Sequence, residues 1–159
     1  MSRMNKFLLL LLSHGGIGFI GFSLGIYLLP VITAPAAPTS AVMASALSQS
    51  EYQGEFVKTL TDSDFLHWGE GKLLVGPQQI ALEGKLAPGP DYKLYLSPTF
   101  IETEAAFMAN KASMVQVGDV QTFDGFVISV PQTVDVTQYT TVIIWCETFS
   151  QFITAAAYR

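Results

Sequence analysis

The sequence holds few of the residue types from which active sites are usually built. In 159 residues there is one cysteine, Cys146, and of two histidines only His67 lies outside the apolar N-terminal segment. A single cysteine excludes a fold held together by disulfides within the chain. A closed structural zinc site needs four ligands, usually cysteine or histidine, and Cys146 and His67 supply only two. Hydrolase, P-loop, dinucleotide-binding and EF-hand motifs are absent. We therefore find no signature of a hydrolase or transferase, and whether the protein is an enzyme stays open.

Charged residues are also scarce in the N-terminal third. Arg3 and Lys6 are the only charged residues before position 50, and all thirteen acidic residues follow it. Residues 7–29 hold no charged side chain, and as a helix they would span roughly 34 Å at about 1.5 Å per residue. A bilayer core is about 30 Å thick. The pattern predicts a signal anchor, or transmembrane helix, within residues 1–29 that contacts the membrane through residues 7–29.

The distribution of charge indicates the orientation of this single-pass protein in the cell membrane. Basic flanks stay on the cytoplasmic side, which predicts a cytoplasmic N-terminus and a C-terminal domain that is periplasmic or extracellular. A cleaved signal peptide, processed at residues 34–36 or 44–46, is the alternative, and it exports the domain as well. The acidic domain offers no basic patch to phosphates, which argues against nucleic acid as a partner. Gly21 and Gly25 match a helix-packing pattern and suggest a weak homodimer.

The rest of the chain divides into a linker and one domain. Residues 30–50 are rich in proline, alanine and serine without apolar periodicity, which predicts a flexible linker. Over residues 51–159, short apolar or alternating runs are separated by glycine and proline turns about every ten residues. Only residues 102–110 look helical. We predict an all-β domain, an antiparallel β-sandwich or barrel of seven to eight strands, preceded by the transmembrane helix.

Cys146 lies in the strongest strand pattern of the sequence, residues 140–148. Alternation places Val142, Ile144 and Cys146 on one face of this strand and Trp145 on the other. A lone cysteine on the exported side is a buried inert thiol, half of an intermolecular disulfide, or a reactive thiol or ligand. No basic residue adjoins it in sequence to stabilise a thiolate.

His67 is the other candidate for a site residue. Thiolate and imidazole together can bind haem iron or copper, but the sequence does not tell whether Cys146 and His67 meet in space. A lone histidine beside Trp68 is otherwise a packed, hydrogen-bonded residue. Glu147, next to Cys146, would raise the pKa of the thiol, which favours ligation over a free reactive thiol.

Two motifs, in this order, make the chain resemble a known family, the DM-thirteen domain. They are G-P-D-x-x-x-Y-L-S at residues 89–97 and V-x-I-W-C at residues 142–146, and weaker matches cover roughly residues 54–158. The family occurs on extracellular proteins such as the animal Skeletor proteins and on exported bacterial proteins. The resemblance implies an all-β electron-transfer domain in which Cys146 acts as a bare thiol or through a prosthetic group such as haem, with His67 as a helper. The electron partner would be a separate protein.

Two functions from different classes are consistent with these features. In the first, the chain is a membrane-anchored extracytoplasmic domain with a redox role centred on Cys146, and its cofactor is haem, copper or none. In the second, it is a non-enzymatic binding or scaffold module at the cell surface, and Cys146 only packs in the core.

Overall fold

The computed structural model of the chain describes residues 2–159. Its N-terminal third is helical, and the remainder forms eight strands, one further α-helix and two short 3-10 turns, Lys111–Ser113 and Val136–Gln138. The elements are α1 (Arg3–Thr33), α2 (Ser40–Gln49), β1 (Tyr52–Phe56), β2 (Gly69–Val75), β3 (Gln79–Leu86), β4 (Tyr92–Ser97), α3 (Glu104–Asn110), β5 (Val115–Val120), β6 (Phe126–Ser129), β7 (Thr141–Cys146) and β8 (Gln151–Ala157).

The strands form two antiparallel sheets of four strands each. Their orders are β1-β2-β3-β6 and β5-β4-β7-β8, and a core of buried side chains from both sheets lies between them. The expected antiparallel architecture and strand number are therefore confirmed, and so is the short helix near residues 102–110, which is α3. The description of the fold as all-β is corrected, because helices make up 34% of the chain.

The alternation predicted for β7 is confirmed, and both of its faces are buried. Val142, Ile144 and Cys146 point into the core between the sheets, while Ile143 and Trp145 lie on the outer face. There α3 covers them, since its Phe107 stacks on the Trp145 ring with the centroids 3.9 Å apart. This explains why the segment reads as a nearly continuous apolar run, as expected for a strand buried on two sides.

The two sheets meet along both edges, because β8 lies beside β1 and β5 lies beside β6. At the first edge Gly54 makes this approach possible. An added Cβ at Gly54 would lie 2.6 Å from the carbonyl oxygen of Ala157, closer than carbon and oxygen atoms pack. The edges of the sandwich are thereby covered without continuous hydrogen bonding between the sheets.

The segment predicted to be a flexible linker contains a helix. Thr39 caps α2, its hydroxyl accepting a hydrogen bond from the backbone N–H of Val42, and Ala46 packs with Leu74 and Ala81 on the outer face of the β1-β2-β3-β6 sheet. The expectation of an irregular segment over residues 30–50 is corrected for these ten residues and for residues 30–33, which belong to α1. Only residues 34–39 remain as a connector, and six residues span at most about 20 Å.

The N-terminal helix is longer than the predicted apolar span. α1 contains 31 residues and is therefore about 46 Å long. It is long and apolar enough to cross a membrane, and it exceeds the hydrocarbon core by about 16 Å. Part of α1 must then lie outside the hydrocarbon if the helix spans a bilayer.

Candidate functional site

Cys146 is the last residue of β7. It pairs with Tyr92 on β4 and with Gln151 on β8. Only 2% of the surface of Cys146 is exposed, and it forms no disulfide. The thiol therefore lies at one end of the sandwich, where the core reaches the β7–β8 turn.

A cavity of about 710 Å³ lies at this end of the domain, between the sandwich and α1. Both Cys146 and His67 line it, so the structure brings the two candidates to one cavity although 79 positions separate them in the numbering. The walls are mostly apolar. They include Phe19, Ile20, Ser23, Leu24 and Tyr27 from α1 and Leu66, Pro90, Tyr92, Phe149 and Ile153 from the domain.

Asp64 orients His67 in the loop between β1 and β2. One carboxylate oxygen accepts hydrogen bonds from the backbone N–H groups of Leu66 (2.7 Å) and His67 (2.8 Å), and the other lies 3.0 Å from Nδ1 of the imidazole. Burial raises the pKa of Asp64, but these hydrogen bonds outweigh it and hold the pKa below the usual range. The contact occupies Nδ1 and leaves Nε2 as the nitrogen available to a ligand or a proton.

Burial keeps Cys146 protonated. It raises the pKa of the thiol, the Asp91 carboxylate adds to this, and backbone N–H groups such as that of Phe149 oppose it only in part. No lysine or arginine lines the cavity to stabilise a thiolate. The predicted direction of the pKa shift is thus confirmed, but its causes are burial and Asp91, whereas Glu147 pairs elsewhere.

The G-P-D motif positions the turns that close the cavity. An added Cβ at Gly89 would overlap the ring of Tyr92, so the loop packs directly on the phenol. Asp91 accepts hydrogen bonds from Nζ of Lys93 at 2.8 Å and from the hydroxyl of Thr148 at 2.9 Å. Thr148 belongs to the β7–β8 turn, so Asp91 holds that turn in place just after Cys146.

A polar cluster on the other side of β7 holds Glu147 away from the thiol. Nζ of Lys111 lies 2.7 and 2.8 Å from the two carboxylate oxygens of Glu147, which also accepts a hydrogen bond from the hydroxyl of Tyr95. Burial raises the pKa of Glu147, but Lys111 and Tyr95 outweigh it and the pKa lies below its usual range. This cluster fastens α3 and its 3-10 turn to the outer face of the sheet.

The residues of the cavity do not fit a resident haem or copper centre. A blue-copper site needs two histidines beside the cysteine, and His67 is the only histidine that lines the cavity. Within residues 2–159 no cluster of three or more potential metal ligands is found. A haem would also need cationic partners for its two propionates, and the walls of the cavity carry no lysine or arginine.

Sequence reasoning missed Asp64, Asp91, Tyr92 and the α1 wall as parts of the site. Asp91 and Tyr92 lie within the motif of residues 89–97 on which the family resemblance rests. The motif marked this segment as important, but it did not indicate what the two side chains contact. Asp64 stands three residues before His67, the spacing of a side-chain cap on a turn. The contribution of α1 had no signal, because it depends on how the helix packs against the domain.

The fold and the cavity define a two-sheet antiparallel β domain in which one thiol and one imidazole line a single, mostly apolar cavity. A comparison with protein families makes this more specific. The family model described as Electron transfer DM13 matches residues 59–158, and the chain belongs to this family. No curated protein and no solved structure matches the chain.

Proposed function

We propose that the chain is a membrane-anchored, extracytoplasmic electron-transfer protein whose site is the cavity that Cys146 and His67 share. The observation that carries this proposal is that the fold brings the only cysteine and the only histidine of the domain to one cavity. Membership of a family described by electron transfer supports it. In this role Cys146 is the redox-active residue, as a bare thiol, and His67 assists it.

The anchor is α1, with the basic residues Arg3 and Lys6 on the cytoplasmic side and the sandwich outside. Because α2 packs on the sandwich, only the six-residue connector separates the domain from the anchor. The domain is therefore held at the membrane surface. A redox partner would be a separate protein that reaches the Cys146 end of the domain there.

The environment of the thiol determines its chemistry. A neutral thiol must lose its proton before the sulfur attacks a disulfide, and His67 is the basic group on the same cavity wall. The attack on the disulfide of an acceptor joins one of its sulfurs to Cys146 and releases the other as a thiol. A donor dithiol then displaces the first sulfur as a thiol and leaves as its own disulfide, so two electrons pass from the dithiol to the acceptor and the Cys146 thiol is restored. Asp64 stabilises the imidazolium that forms when Nε2 takes the proton.

Exchange with an uncharged disulfide tests this function on the full chain in detergent. With 2,2′-dipyridyl disulfide, Cys146 should form a mixed disulfide in the folded protein, release one equivalent of pyridinethione and be restored by dithiothreitol. His67→Gln should slow the exchange at least tenfold at neutral pH by removing the base. The matched control His14→Gln removes the other histidine and should leave the rate unchanged. Equal rates in all three proteins would contradict the role of His67.

The visible absorption spectrum tests whether a prosthetic group is present. Because the cavity does not fit haem or copper, we expect no band in the visible region from the full chain purified from membranes. A Soret band that is lost in Cys146→Ala would show a haem-thiolate centre and contradict the bare-thiol proposal.

One observation favours a second function, a binding or scaffold module at the membrane surface. Cys146 is buried to the same degree as its core neighbours, and core packing alone accounts for a small apolar side chain at this place. If dipyridyl disulfide reacts only after unfolding in urea, the thiol has no redox role and this second function is the better one.

A further inference from the structure

One helical face of α1 forms a wall of the cavity. Phe19, Ser23 and Tyr27 follow one another at intervals of four residues and all line it, as expected for one side of a helix. With the proposed orientation the hydrocarbon begins after Lys6, and about 20 residues cross it, so its outer boundary falls near Ile26. The α1 wall of the cavity therefore extends from this boundary into the outer leaflet.

Exposed apolar side chains surround the cavity on the domain side. Phe65 is 91% exposed, and Leu66 and Phe149, both of which line the cavity, are about half exposed. Large exposed apolar groups that cluster beside a membrane helix match the side chains that insert at a bilayer interface. This end of the domain is thus suited to contact lipid, and in the proposed orientation the cavity lies beside the outer leaflet, where lipid-soluble molecules are concentrated.

The lining defines the chemistry of a ligand. The walls are apolar and carry no lysine or arginine, so a charged ligand would lose its hydration without a compensating partner. The polar side chains of the lining include Ser23 and Tyr27 on the α1 wall and His67, Tyr92 and Gln151 on the domain side. Of these we take Nε2 of His67 and the hydroxyl of Tyr92 as the groups that give specificity. The volume, about 710 Å³, lies in the range of small-molecule sites.

We propose that this cavity binds a lipid-soluble quinone that enters from the outer leaflet. A quinone is uncharged, has an apolar ring and tail, and carries two carbonyl oxygens, one of which can accept a hydrogen bond from the Tyr92 hydroxyl. In the reduced form the other becomes a hydroxyl that can donate to Nε2 of His67. The proposal deepens the proposed electron-transfer function, on which it rests for the choice of a redox-active ligand. In this proposal the molecule that exchanges electrons with the protein is dissolved in the membrane.

Quenching of tryptophan fluorescence by a decyl-substituted benzoquinone tests the proposal on the full chain in phosphatidylcholine nanodiscs. We expect saturable quenching. Ser23→Phe, which fills the cavity from the exposed surface of α1, should weaken the apparent affinity at least tenfold. The matched control Ile17→Phe is on the same helix but does not line the cavity, and it should bind as the wild type does.

A second variant separates recognition from cavity volume. Tyr92→Phe keeps the ring but removes the hydroxyl, and loss of one hydrogen bond should weaken quinone binding about fivefold. Linear quenching that is the same in every variant would overturn the proposal, because it reports only partition of the quinone into lipid. Equal competition by a long-chain alcohol would also overturn it, since the site would then accept any apolar lipid.

The outcomes distinguish this proposal from the proposed function of Cys146. Saturable quinone binding together with a thiol that reacts only after unfolding would support the quinone site and refute the redox role of Cys146. Disulfide exchange at Cys146 without saturable quinone binding would support the redox role of Cys146 and refute the quinone site.

Discussion

Alkaline pH should destabilise the domain, because the domain buries three phenols. Tyr92, Tyr95 and Tyr158 are each more than nine-tenths buried, and burial is the main cause that raises the pKa of each. In the unfolded chain tyrosine ionises near pH 10. Above that pH the unfolded state has lost more protons than the folded state, so the free energy of unfolding falls as pH rises.

The size of the effect follows from proton linkage. Each such phenol lowers the free energy of unfolding by about 1.4 kcal/mol per pH unit between its unfolded and folded pKa. At pH 11 three phenols together cost about 4 kcal/mol, a large part of the 5–15 kcal/mol that typically stabilises a domain. Cys146, whose pKa is also raised, adds to the loss once the pH exceeds about 8.5, where an unfolded thiol ionises.

Urea unfolding of the full chain in detergent, followed by tryptophan fluorescence at pH 9 and pH 11, measures this loss. Phenolate absorbance, recorded in parallel, should show three of the six tyrosines ionising only as the domain unfolds. Tyr95→Phe should reduce the tyrosine contribution by about a third. Ionisation of all six tyrosines near pH 10 with no change in stability would refute the reasoning.

Three further predictions concern the packing around the site. Phe107→Ala should lower the free energy of unfolding by about 3–5 kcal/mol in a urea titration, because it removes the ring stacked on Trp145; a cost below 1 kcal/mol would show that α3 does not cover this face. Gly54→Val should separate β1 from β8, since its Cβ would meet the carbonyl oxygen of Ala157; faster amide hydrogen exchange in β1 alone would show this, and unchanged exchange would contradict it. Cys146→Ala should cost about 1 kcal/mol in the same urea assay, the loss of one methylene-sized buried atom, whereas a cost above about 4 kcal/mol would indicate that a bound group had been lost with the thiol.

The β domain was largely predictable because its signals are local. The alternation of β7 and the glycine and proline turns depend on neighbouring residues, and side-chain direction in a strand follows from its period of two. The burial of both faces of β7 did not follow from the alternation, since it requires α3 to pack across the sheet through Phe107. The family resemblance also rested on local motifs, and the family match confirmed it.

Other features depended on tertiary packing and were not predictable. The apolar residues of α2 are distributed around the helix and do not form one stripe, so its pattern did not indicate a helix that packs on the outer face of a sheet. The sequence pointed to His67 and Cys146 as candidates, and their roles remain a prediction. That they line one cavity results from the tertiary fold and had no local signal. The α1 wall depends on the length of the connector, which is short only because α2 is folded.

The central claim is that Cys146 lies in a cavity of which α1 forms one wall, and cross-linking tests it most directly. Because Cys146 is the only cysteine, Ser23→Cys introduces one defined partner on the α1 wall, and Ile17→Cys places a matched cysteine off it. In the full chain in liposomes, a short bis-maleimide should join position 23 to Cys146 within one chain and should not join position 17. Equal yields at the two positions, or no cross-link at position 23 although both thiols react with a monofunctional maleimide in the folded chain, would contradict the claim.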